Sequence, residues 1–433
     1  MTSLQPDART TRPTSLRRVV LSAFAGTSIE WYDFFLFGSA AALVFPAVFF
    51  PESDPGVGLL LSFMTYGVAF VVRPLGGIIF GRLGDSIGRK KVLIATLMLM
   101  GVGTFLIGCV PGYDTIGIWA AVILVLLRVT QGLGLGGEWG GAATLSAEHA
   151  DGAGRSVSRG LLASWMQLGV PAGNLLAVGA LYVMQAIMPE EQFLAWGWRI
   201  PFLASAVLVV FCFWIRAAVE ESPLFADEQP DPTPLRTMLR SSWRQVLLTI
   251  GIRIASDVSY YVFAVFALSY IANTLQLPPS VGLTGVILGC LAQFAVIPVS
   301  AHVSDRVGRR PVYVAGAIAV GVWAFVAWPL IDTTNEALAV LAIAVGIAAQ
   351  GIMYGPMAAF ITEMFPTKVR TTGAGFGYQV AGILGGALAP LLAQLLTQSF
   401  ATTFAVSVYV AITAVIAVTS SLLAKETSRK TLQ

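Results

Sequence analysis

The sequence predicts an all-α polytopic membrane protein, with twelve transmembrane helices in two pseudo-symmetric six-helix bundles. Three observations lead to this fold class. Of the 433 residues, 56% are hydrophobic and only 11% are charged, against about 25% charged residues in an average soluble protein. The apolar residues fall into twelve stretches, most of them as long as the roughly 20 residues that a spanning helix needs. A polar motif after the second stretch recurs after the eighth, which indicates a duplicated half.

The composition excludes several other classes of protein. A single soluble domain and a disordered chain both lack this much apolar surface. A net charge of +3 is too small and too scattered for nucleic-acid binding. Cys109, Cys212 and Cys290 lie in apolar runs without ligand-like spacing, so neither a disulfide framework nor a zinc site is expected. His149 and His302 are too few for a metal cluster.

The connections between the apolar stretches are short, and they define the spans in order. The first 18 residues are polar, and the apolar run after them is too long for the core of a signal peptide, so it forms an uncleaved first span. The loss of apolar character at each connection places the twelve spans at residues 19–49, 57–80, 92–110, 115–147, 158–187, 196–218, 244–273, 281–303, 311–330, 336–362, 373–398 and 402–424.

Charged residues in the connections orient the chain. Alternate connections and the two ends carry 21 of the 26 basic residues, whereas the remaining connections carry acids and almost no lysine or arginine. By the positive-inside rule, both ends are cytoplasmic. The sequence therefore predicts a multi-pass plasma-membrane protein with a tail at 1–18, a bundle at 19–218, an acidic, proline-rich linker at 219–243, a second bundle at 244–424 and a tail at 425–433.

The two predicted bundles carry a repeated motif. Residues 81–90, GRLGDSIGRK, follow the second span, and residues 301–310, AHVSDRVGRR, follow the eighth span, 220 residues later. Because six spans return the chain to the same side of the membrane, the duplicated half has the same orientation as the first.

The repeated motif resembles the signature loop of the major facilitator superfamily. Four further stretches narrow the resemblance to its metabolite:proton symporter family: EWYDFFLFG at 30–38, RPLGG at 73–77, QGLGLGGEWGG at 131–141 and WGWRIPF at 196–202. Members of that family carry proline, betaine, citrate, 2-oxoglutarate, shikimate and similar metabolites. The resemblance covers essentially the whole chain. It implies a substrate site between the bundles at the midplane and alternating access by rocking of the bundles.

The function that the resemblance implies is secondary active transport, in which inward proton movement drives uptake of a small organic metabolite. Such a protein is not an enzyme, uses no cofactor besides the proton as coupling ion, and functions as a monomer in the lipid bilayer without nucleic acid. The nearly balanced deep charges suit a carboxylate or a zwitterion as substrate. Two alternatives stay open: an antiporter that exports an organic compound, and a membrane sensor on a transporter scaffold.

The resemblance assigns the repeated loop to conformational gating, in which its Asp meets the N-terminal end of a helix when the cytoplasmic side is closed. A carboxylate in that position gains about 0.3–1 kcal/mol, or up to ~2 kcal/mol when partly buried. The second copy has Ala301 and Ser304 where the first has glycines, so the first copy is expected to be the stronger gate. The gating residues of the two copies are Asp85, Gly88, Arg89, Asp305, Gly308 and Arg309.

Seven charged residues lie deep inside predicted spans, and a charge costs roughly 2.5–3.5 kcal/mol at the bilayer centre. Arg73 and Glu138 lie nearer the cytoplasmic side, and we assign them to gating. The other five lie near mid-membrane at about 1.5 Å of helix rise per residue. They are Glu30, Asp33, Arg128, Arg253 and Asp257. The spacing within the pairs 30/33 and 253/257 puts each pair on one helix face.

These positions suggest roles in coupling and binding. Asp33 and Glu30 are the candidates for proton binding, with Asp33 preferred, because a partly desolvated carboxyl group responds strongly to a moving charge nearby. The repeat superimposes Asp33 on Arg253, so the two are expected to face each other across a central cavity. An arginine offers a carboxylate a fork of donors. The candidate substrate-binding residues are Arg128, Arg253, Asp257, Tyr32, Gln131, Tyr260, Tyr354 and Gln379. The alternative is that these side chains only hold helices together.

The glycines at 132–137 formally match a dinucleotide-binding motif. No strand precedes them and they lie in an apolar helix, so that interpretation is rejected. Glycines in a spanning helix permit close contact with a neighbouring helix instead.

Overall fold

The computed structural model describes residues 16–87, 89–136, 159–217, 238, 240–366 and 369–428, with side chains except at 16–23, 81, 82, 84–91, 93, 159 and 211–217. Within these ranges the chain forms helices and no strand. Twelve long helical segments follow one another, and we number them α1 (Leu16–Leu43), α2 (Pro55–Ile87), α3 (Arg89–Cys109), α4 (Trp119–Leu135), α5 (Arg159–Gln167 and Gly169–Ile187), α6 (Phe193–Gly197 and Arg199–Ala217), α7 (Trp243–Thr274), α8 (Pro279–Val307), α9 (Arg309–Asp332), α10 (Glu336–Glu363), α11 (Arg370–Phe400) and α12 (Phe404–Leu423).

The surface of these helices is largely apolar. Eight helices contain an 18-residue apolar stretch, the bent α6 provides a ninth, and residues 94–109 and 119–135 form shorter apolar helices. In α2 only half of the stretch is buried inside the protein, and side chains such as Met64, Val71 and Leu75 are exposed. Apolar surface of this extent is stable in lipid, where helices satisfy their own backbone polar groups. The chain is a multi-pass membrane protein.

Most predicted spans coincide with helices to within a few residues. The predicted span 281–303 lies within α8, and 336–362 lies within α10. The predicted span 115–147 starts in the short helix Tyr113–Ile116, and α4 begins only at Trp119 after a turn. Its residues from 137 onward lie outside the described residues, as does most of the predicted linker at 219–243.

The helices pack as two groups, α1–α6 and α7–α12, that meet along several helices. Between the groups, α5 packs against α8 and α10, α2 packs against α11, and α1 contacts α7. The repeat relates α2 to α8 and α5 to α11. A two-fold axis between the bundles therefore turns the contact of α2 with α11 into the contact of α8 with α5. In α7, 94% of the apolar stretch is buried, which puts this helix at the centre of the molecule and not against lipid.

Glycines bring α4 very close to α2. A Cβ atom at Gly132 would overlap the backbone of Ala69, and a Cβ atom at Gly136 would overlap the backbone of Arg73. Only glycine leaves room for this approach. The contact agrees with the role predicted for these glycines, and it fixes the depth of α4 relative to α2.

Three central helices are irregular. In α7, Val262–Phe266 and Tyr270–Thr274 are π-helical, as is Ile383–Ala387 in α11. The α5 helix is interrupted at Leu168, because Pro171 has no N–H group to donate to the carbonyl oxygen of Gln167. Single π-helical turns occur often at functional sites, and all three irregular helices contribute residues to contacts between the bundles.

Candidate functional site

A narrow cavity lies between the bundles, where α1 and α5 face α7, α8, α10 and α11. Its walls are mainly aromatic, with one carboxylate and two amides. Trp31 and Phe35 stack one turn apart on α1, and Phe35 also packs on Tyr260 of α7; both pairs of ring centroids are 5.3 Å apart. The bundles therefore meet at the cavity through aromatic rings. The lining residues are Trp31, Phe35, Val170, Asp257, Tyr260, Tyr261, Gln293, Gln350, Tyr354 and Tyr378.

The carboxylate in the cavity wall is paired with an arginine on its own helix. Nη2 of Arg253 lies 3.0 Å from Oδ2 of Asp257, and Nε donates to Oδ1 at 3.2 Å. The guanidinium also lies over the Tyr378 ring, 3.1 Å from its centroid, and donates to the Tyr378 carbonyl oxygen. The predicted common face of Arg253 and Asp257 is confirmed. The pair is neutral as a unit and joins α7 to α11.

Two amides continue this wall. Nε2 of Gln293 donates to the carbonyl oxygen of Ile347 at 2.8 Å and to Oε1 of Gln350 at 2.7 Å. Nε2 of Gln350 in turn donates to the hydroxyl of Ser256 at 2.7 Å. Hydrogen bonds thus hold α7, α8 and α10 together at the cavity, and they fix the orientation of both amides.

A second polar group lies inside the first bundle, behind the aromatic wall. The carboxyl group of the buried Asp33 lies beside Thr104 and close to the charge of Arg128. The Thr104 hydroxyl donates to the Met100 carbonyl oxygen of its own helix at 3.1 Å. Nε2 of Gln131 donates to Oγ1 of Thr104 at 2.6 Å, and Nη1 of Arg128 donates to Oε1 of Gln131 at 3.0 Å. One network therefore joins α1, α3 and α4. Within the described part of the chain, Oδ1 of Asp33 has no hydrogen-bond partner.

The two deep arginines of the first bundle, Arg73 and Arg128, lie against aromatic rings. The guanidinium of Arg73 lies 4.3 Å from the ring centroid of Phe70 and 4.5 Å from that of Phe34. The guanidinium of Arg128 lies 3.9 Å from the ring centroid of Phe37. A cation over the face of a desolvated ring is stabilised by roughly 2 kcal/mol or more. Both charges are held inside the bundle, outside the residues that line the cavity.

Hydrogen bonds cross between the bundles on both sides of the cavity. Beside the cavity, Asn174 donates to the Tyr260 hydroxyl at 2.8 Å, and Gln167 donates to the Tyr354 carbonyl oxygen at 3.3 Å. Towards one end, Gln379 donates to the carbonyl oxygen of Gly136 at 3.3 Å. Towards the other end, Asn273 donates to the carbonyl oxygen of Ala42 at 3.2 Å. The two bundles therefore close over the cavity from both ends.

The second copy of the repeated loop makes the contact with a helix N-terminus that the resemblance implies for both copies. Oδ1 and Oδ2 of Asp305 accept hydrogen bonds from the backbone N–H groups of Gly160 and Leu161, at 3.0 and 3.3 Å, in the first turn of α5. Nη1 of Arg309 lies 2.7 Å from Oδ1 of Asp305, and Nη2 lies 3.1 Å from Oε1 of Glu363. Gly308 turns the chain between α8 and α9 with φ +112°, a conformation that favours glycine.

Two features stabilise this contact: Ser304, which stands where the first copy has a glycine, and Gly160 on α5. Ser304 accepts a hydrogen bond from Nη1 of Arg309 at 2.8 Å, which holds the guanidinium in place. The absence of a side chain at Gly160 allows the approach, since a Cβ atom there would lie 2.9 Å from the Ala301 carbonyl oxygen. In the first copy, Gly88 and the side chains of Asp85 and Arg89 lie outside the described residues.

The segment after α12 returns to this cluster. Oε1 of Glu426 accepts from the backbone N–H of Arg309 at 2.9 Å, and Oε2 accepts from that of Arg310 at 3.0 Å, so Glu426 caps α9. Partial burial acts to raise the pKa of Glu426, but hydrogen bonds from the backbone of Arg309, Ser428 and Arg310 outweigh it and lower the pKa below its usual value. The Thr427 hydroxyl donates to Oε2 of Glu363 at 2.6 Å.

The structure distributes the predicted binding residues over four surroundings. Asp257, Tyr260 and Tyr354 line the cavity, with Arg253 directly behind Asp257. Arg128 and Gln131 belong to the Asp33 network, and Gln379 joins the bundles. The Tyr32 hydroxyl donates to the Pro201 carbonyl oxygen at 2.7 Å and holds α1 against α6.

The remaining deep charges also have definite positions. Glu30 is close enough to Arg73 to interact with its charge. Glu138 lies outside the described residues. The repeat led us to expect Asp33 opposite Arg253, but the structure places Asp33 near Arg128 and Arg253 beside Asp257. Each bundle thus compensates its own buried charges.

Sequence reasoning missed Gln293, Gln350 and Tyr378 as lining residues. A search for charged residues in apolar runs does not find them, because an amide or a phenol costs less than a charge in such a run. The available signal was a glutamine within an otherwise apolar stretch, as in LAQFAV and AAQGI. Among the described residues, no group of three His, Cys, Asp or Glu side chains could hold a metal ion.

Comparison with known families gives two matches that together span most of the chain. A family model described as sugar (and other) transporter matches residues 19–231. A model described as major facilitator superfamily matches residues 249–432.

Curated proteins and solved structures agree with these matches. The inner membrane metabolite transport protein YhjE of Escherichia coli K12 is 38% identical over 89% of this chain and 89% of its own length. The shikimate transporter of the same strain is 39% identical over 89% of this chain and 88% of its own length. A proline/betaine transporter of Salmonella typhimurium is 35% identical over 86% of this chain and 76% of its own length. A crystal structure of a D-xylose–proton symporter superimposes with a TM-score of 0.74 at 18% identity, covering 97% of this chain and 100% of that chain.

Proposed function

Because this chain belongs to the major facilitator superfamily, and is therefore a membrane transporter and not an enzyme, we propose that it couples inward proton movement to uptake of a small organic metabolite. The substrate is a carboxylate or zwitterion that binds in the aromatic cavity between the bundles. The two bundles rock about this cavity and open it to each side of the membrane in turn. Relatives whose names specify shikimate, proline and betaine support this substrate class.

One observation carries the proton-coupling part of the proposal: the buried carboxyl group of Asp33, whose Oδ1 lacks a hydrogen-bond partner among the described residues. A carboxylate in such surroundings is costly, and a bound proton removes the charge. The neighbouring Arg128 supplies a charge that favours release of the proton again. Asp33 can therefore alternate between two protonation states when its surroundings change.

The position of Asp33 on α1 links this proton to the substrate. Trp31 and Phe35, each two residues from Asp33, line the cavity, while Asp33 faces the network with Thr104 and Gln131. A shift of α1 around a bound substrate therefore changes the contacts of Asp33. Substrate and proton therefore act on neighbouring residues of the same helix, so that binding of one changes the free energy of binding of the other.

The test replaces Asp33 by Asn, which keeps the size of the side chain but cannot bind and release a proton. In vesicles with a proton gradient, Asp33→Asn is expected to abolish accumulation of radiolabelled shikimate or proline above the external concentration, while exchange of substrate across the membrane continues. The matched control is Asp114→Asn, at an exposed position of the short helix before α4. Normal accumulation in Asp33→Asn would refute the assignment.

The direction of coupling is measured in wild-type vesicles loaded with a pH-sensitive dye. Addition of substrate outside is expected to acidify the interior, because the proton enters with the substrate. Alkalinisation on addition of substrate would identify an antiporter and contradict the proposal.

A further inference from the structure

Within the cavity wall, Gln293 has an acceptor that the protein leaves unused. Its side chain is 1% exposed, and Oε1 has no hydrogen-bond partner among the described residues. Buried amide oxygens are nearly always hydrogen-bonded, because an unpaired one has lost its hydrogen bonds to water without replacement. An unpaired acceptor in the wall of a cavity therefore indicates a donor that arrives from outside the protein.

The identity of the free atom follows from the contacts of the amide nitrogen. Nε2 donates one hydrogen to the Ile347 carbonyl oxygen and the other to Oε1 of Gln350. The Ile347 carbonyl can only accept, so a flipped amide would place two oxygens against each other. Since Gln293 lines the cavity and both of its donors are used by the protein, its oxygen is the group left for a ligand.

The charges around the cavity restrict the ligand further. Asp257 is the charged residue among the lining side chains, and Arg253 already neutralises it. Arg73 and Arg128 lie under aromatic rings outside the lining. The cavity therefore offers aromatic faces, a neutral ion pair and the amide oxygen of Gln293, which suits a compact ligand with little net charge.

We propose that Oε1 of Gln293 accepts a hydrogen bond from the transported substrate, so that the site selects compact compounds with hydroxyl or N–H donors over analogues without them. This inference rests on the proposed function, because it concerns the substrate site of the same transporter. A site built to hydrogen-bond a substrate group rejects an analogue that lacks the group, since the site is then left with an unpaired polar atom.

The test measures binding of two compound pairs to the purified full-length protein in detergent. Proline and N,N-dimethylproline differ in their N–H donors, and shikimate and 1-cyclohexene-1-carboxylate differ in their hydroxyl groups. In one pair the analogue without donors is the larger compound, and in the other it is the smaller, so a steric effect cannot favour the donor-bearing member of both. We expect that member of each pair to bind about tenfold tighter or more.

The variant Gln293→Met keeps the length of the side chain and removes the acceptor. It is expected to bind the two members of each pair within about threefold of each other. The matched control is Gln394→Met, which replaces another buried glutamine of the second bundle, on α11 and outside the cavity lining, and should keep the wild-type preference. Melting temperature and size-exclusion profile report whether each variant is folded. The comparison of compound pairs in the wild-type protein does not depend on either variant.

Equal binding within both pairs by the wild-type protein, or no binding of any of the four compounds, would overturn the assignment of Gln293. So would a folded Gln293→Met protein that keeps the preference. The dye measurement in vesicles is separate: a preference for donors without substrate-induced acidification would contradict proton symport and leave the assignment of Gln293 intact.

Discussion

Asp33 and Trp31 are separated by one residue on α1, yet their side chains lie in different surroundings. Trp31 lines the cavity, and Asp33 faces the interior of the first bundle. Between Asp33 and Arg128 stand Thr104 and Gln131, which transmit the position of the arginine to the carboxyl group through hydrogen bonds of 2.6 and 3.0 Å. Thr104 is thus a positioning residue in the proposed coupling.

Replacement of Thr104 by Val is expected to uncouple transport in part. The substitution keeps the shape of the side chain and removes the hydroxyl that lies between Asp33 and Gln131. The hydroxyl accepts from Gln131 and donates to the Met100 carbonyl oxygen. Loss of the bond to Gln131, the one that joins α3 to α4, costs about 0.5–1.5 kcal/mol, and we expect a roughly 2- to 10-fold fall in the accumulation ratio driven by a fixed proton gradient. Substrate binding to the purified variant should change by less than about twofold, because Thr104 does not line the cavity.

The control for this prediction is Thr413→Val on α12. Thr413 is equally buried, and its hydroxyl donates to the Val410 carbonyl oxygen of its own helix at 2.8 Å. Accumulation should remain at the wild-type level in this variant. If Thr104→Val lowered accumulation no more than Thr413→Val does, Thr104 would have only a packing role.

At the scale of helices, the turn between α8 and α9 is bonded to the first turn of α5 in the other bundle. The Asp305 carboxylate accepts two backbone hydrogen bonds there, and Arg309 ties it to Glu363 at the end of α10. This contact joins four helices, α5 of the first bundle and α8, α9 and α10 of the second, at one end of the cavity. Opening that end requires the contact to break.

Asp305→Asn is expected to loosen this end of the molecule. An amide oxygen accepts more weakly than a carboxylate and carries no charge towards the helix N-terminus or Arg309. A loss of about 1–2 kcal/mol predicts a roughly 5- to 30-fold faster hydrogen–deuterium exchange of the amides in residues 159–167, measured by mass spectrometry.

Residues 119–135 of α4 should exchange at the wild-type rate in the same sample. The control variant is Asp332→Asn at the opposite end of the second bundle, where the Asp332 carboxylate accepts from the hydroxyls of Tyr270 and Thr403 at 2.8 and 2.7 Å. Exchange in residues 159–167 should be unchanged in this variant. Equal protection of α5 in Asp305→Asn and the wild-type protein would show that Asp305 does not hold the end closed.

For the whole molecule, the distribution of basic residues makes a prediction about orientation. Both ends of the chain are expected on the cytoplasmic side, because lysine and arginine are concentrated in the connections on that side. A green fluorescent protein fused to either end should fluoresce, and an alkaline phosphatase fused there should be inactive. The same phosphatase inserted between α1 and α2, at residues 51–54, should be active. The opposite pattern would reverse the orientation.

The sequence alone predicts the architecture well, because long apolar stretches and the 220-residue repeat are properties of the chain itself. The Arg253–Asp257 pair is also predictable, since four residues of helix bring the two side chains together. The partner of Asp33 is different, because the contact with Thr104 depends on how α3 packs against α1. The roles of Gln293 and Gln350 are not predictable for the same reason, because the groups that bond to their amides lie on other helices.

The capping of α9 by Glu426 has a consequence for how the protein is made. The N-terminus of α9 leaves the ribosome more than a hundred residues before the carboxylate that caps it. Glu363, which binds Arg309, also receives the Thr427 hydroxyl only at that late point. The charge cluster that joins the bundles is therefore completed only after residues 426 and 427 have been made, well after the helices α8, α9 and α10 that they join.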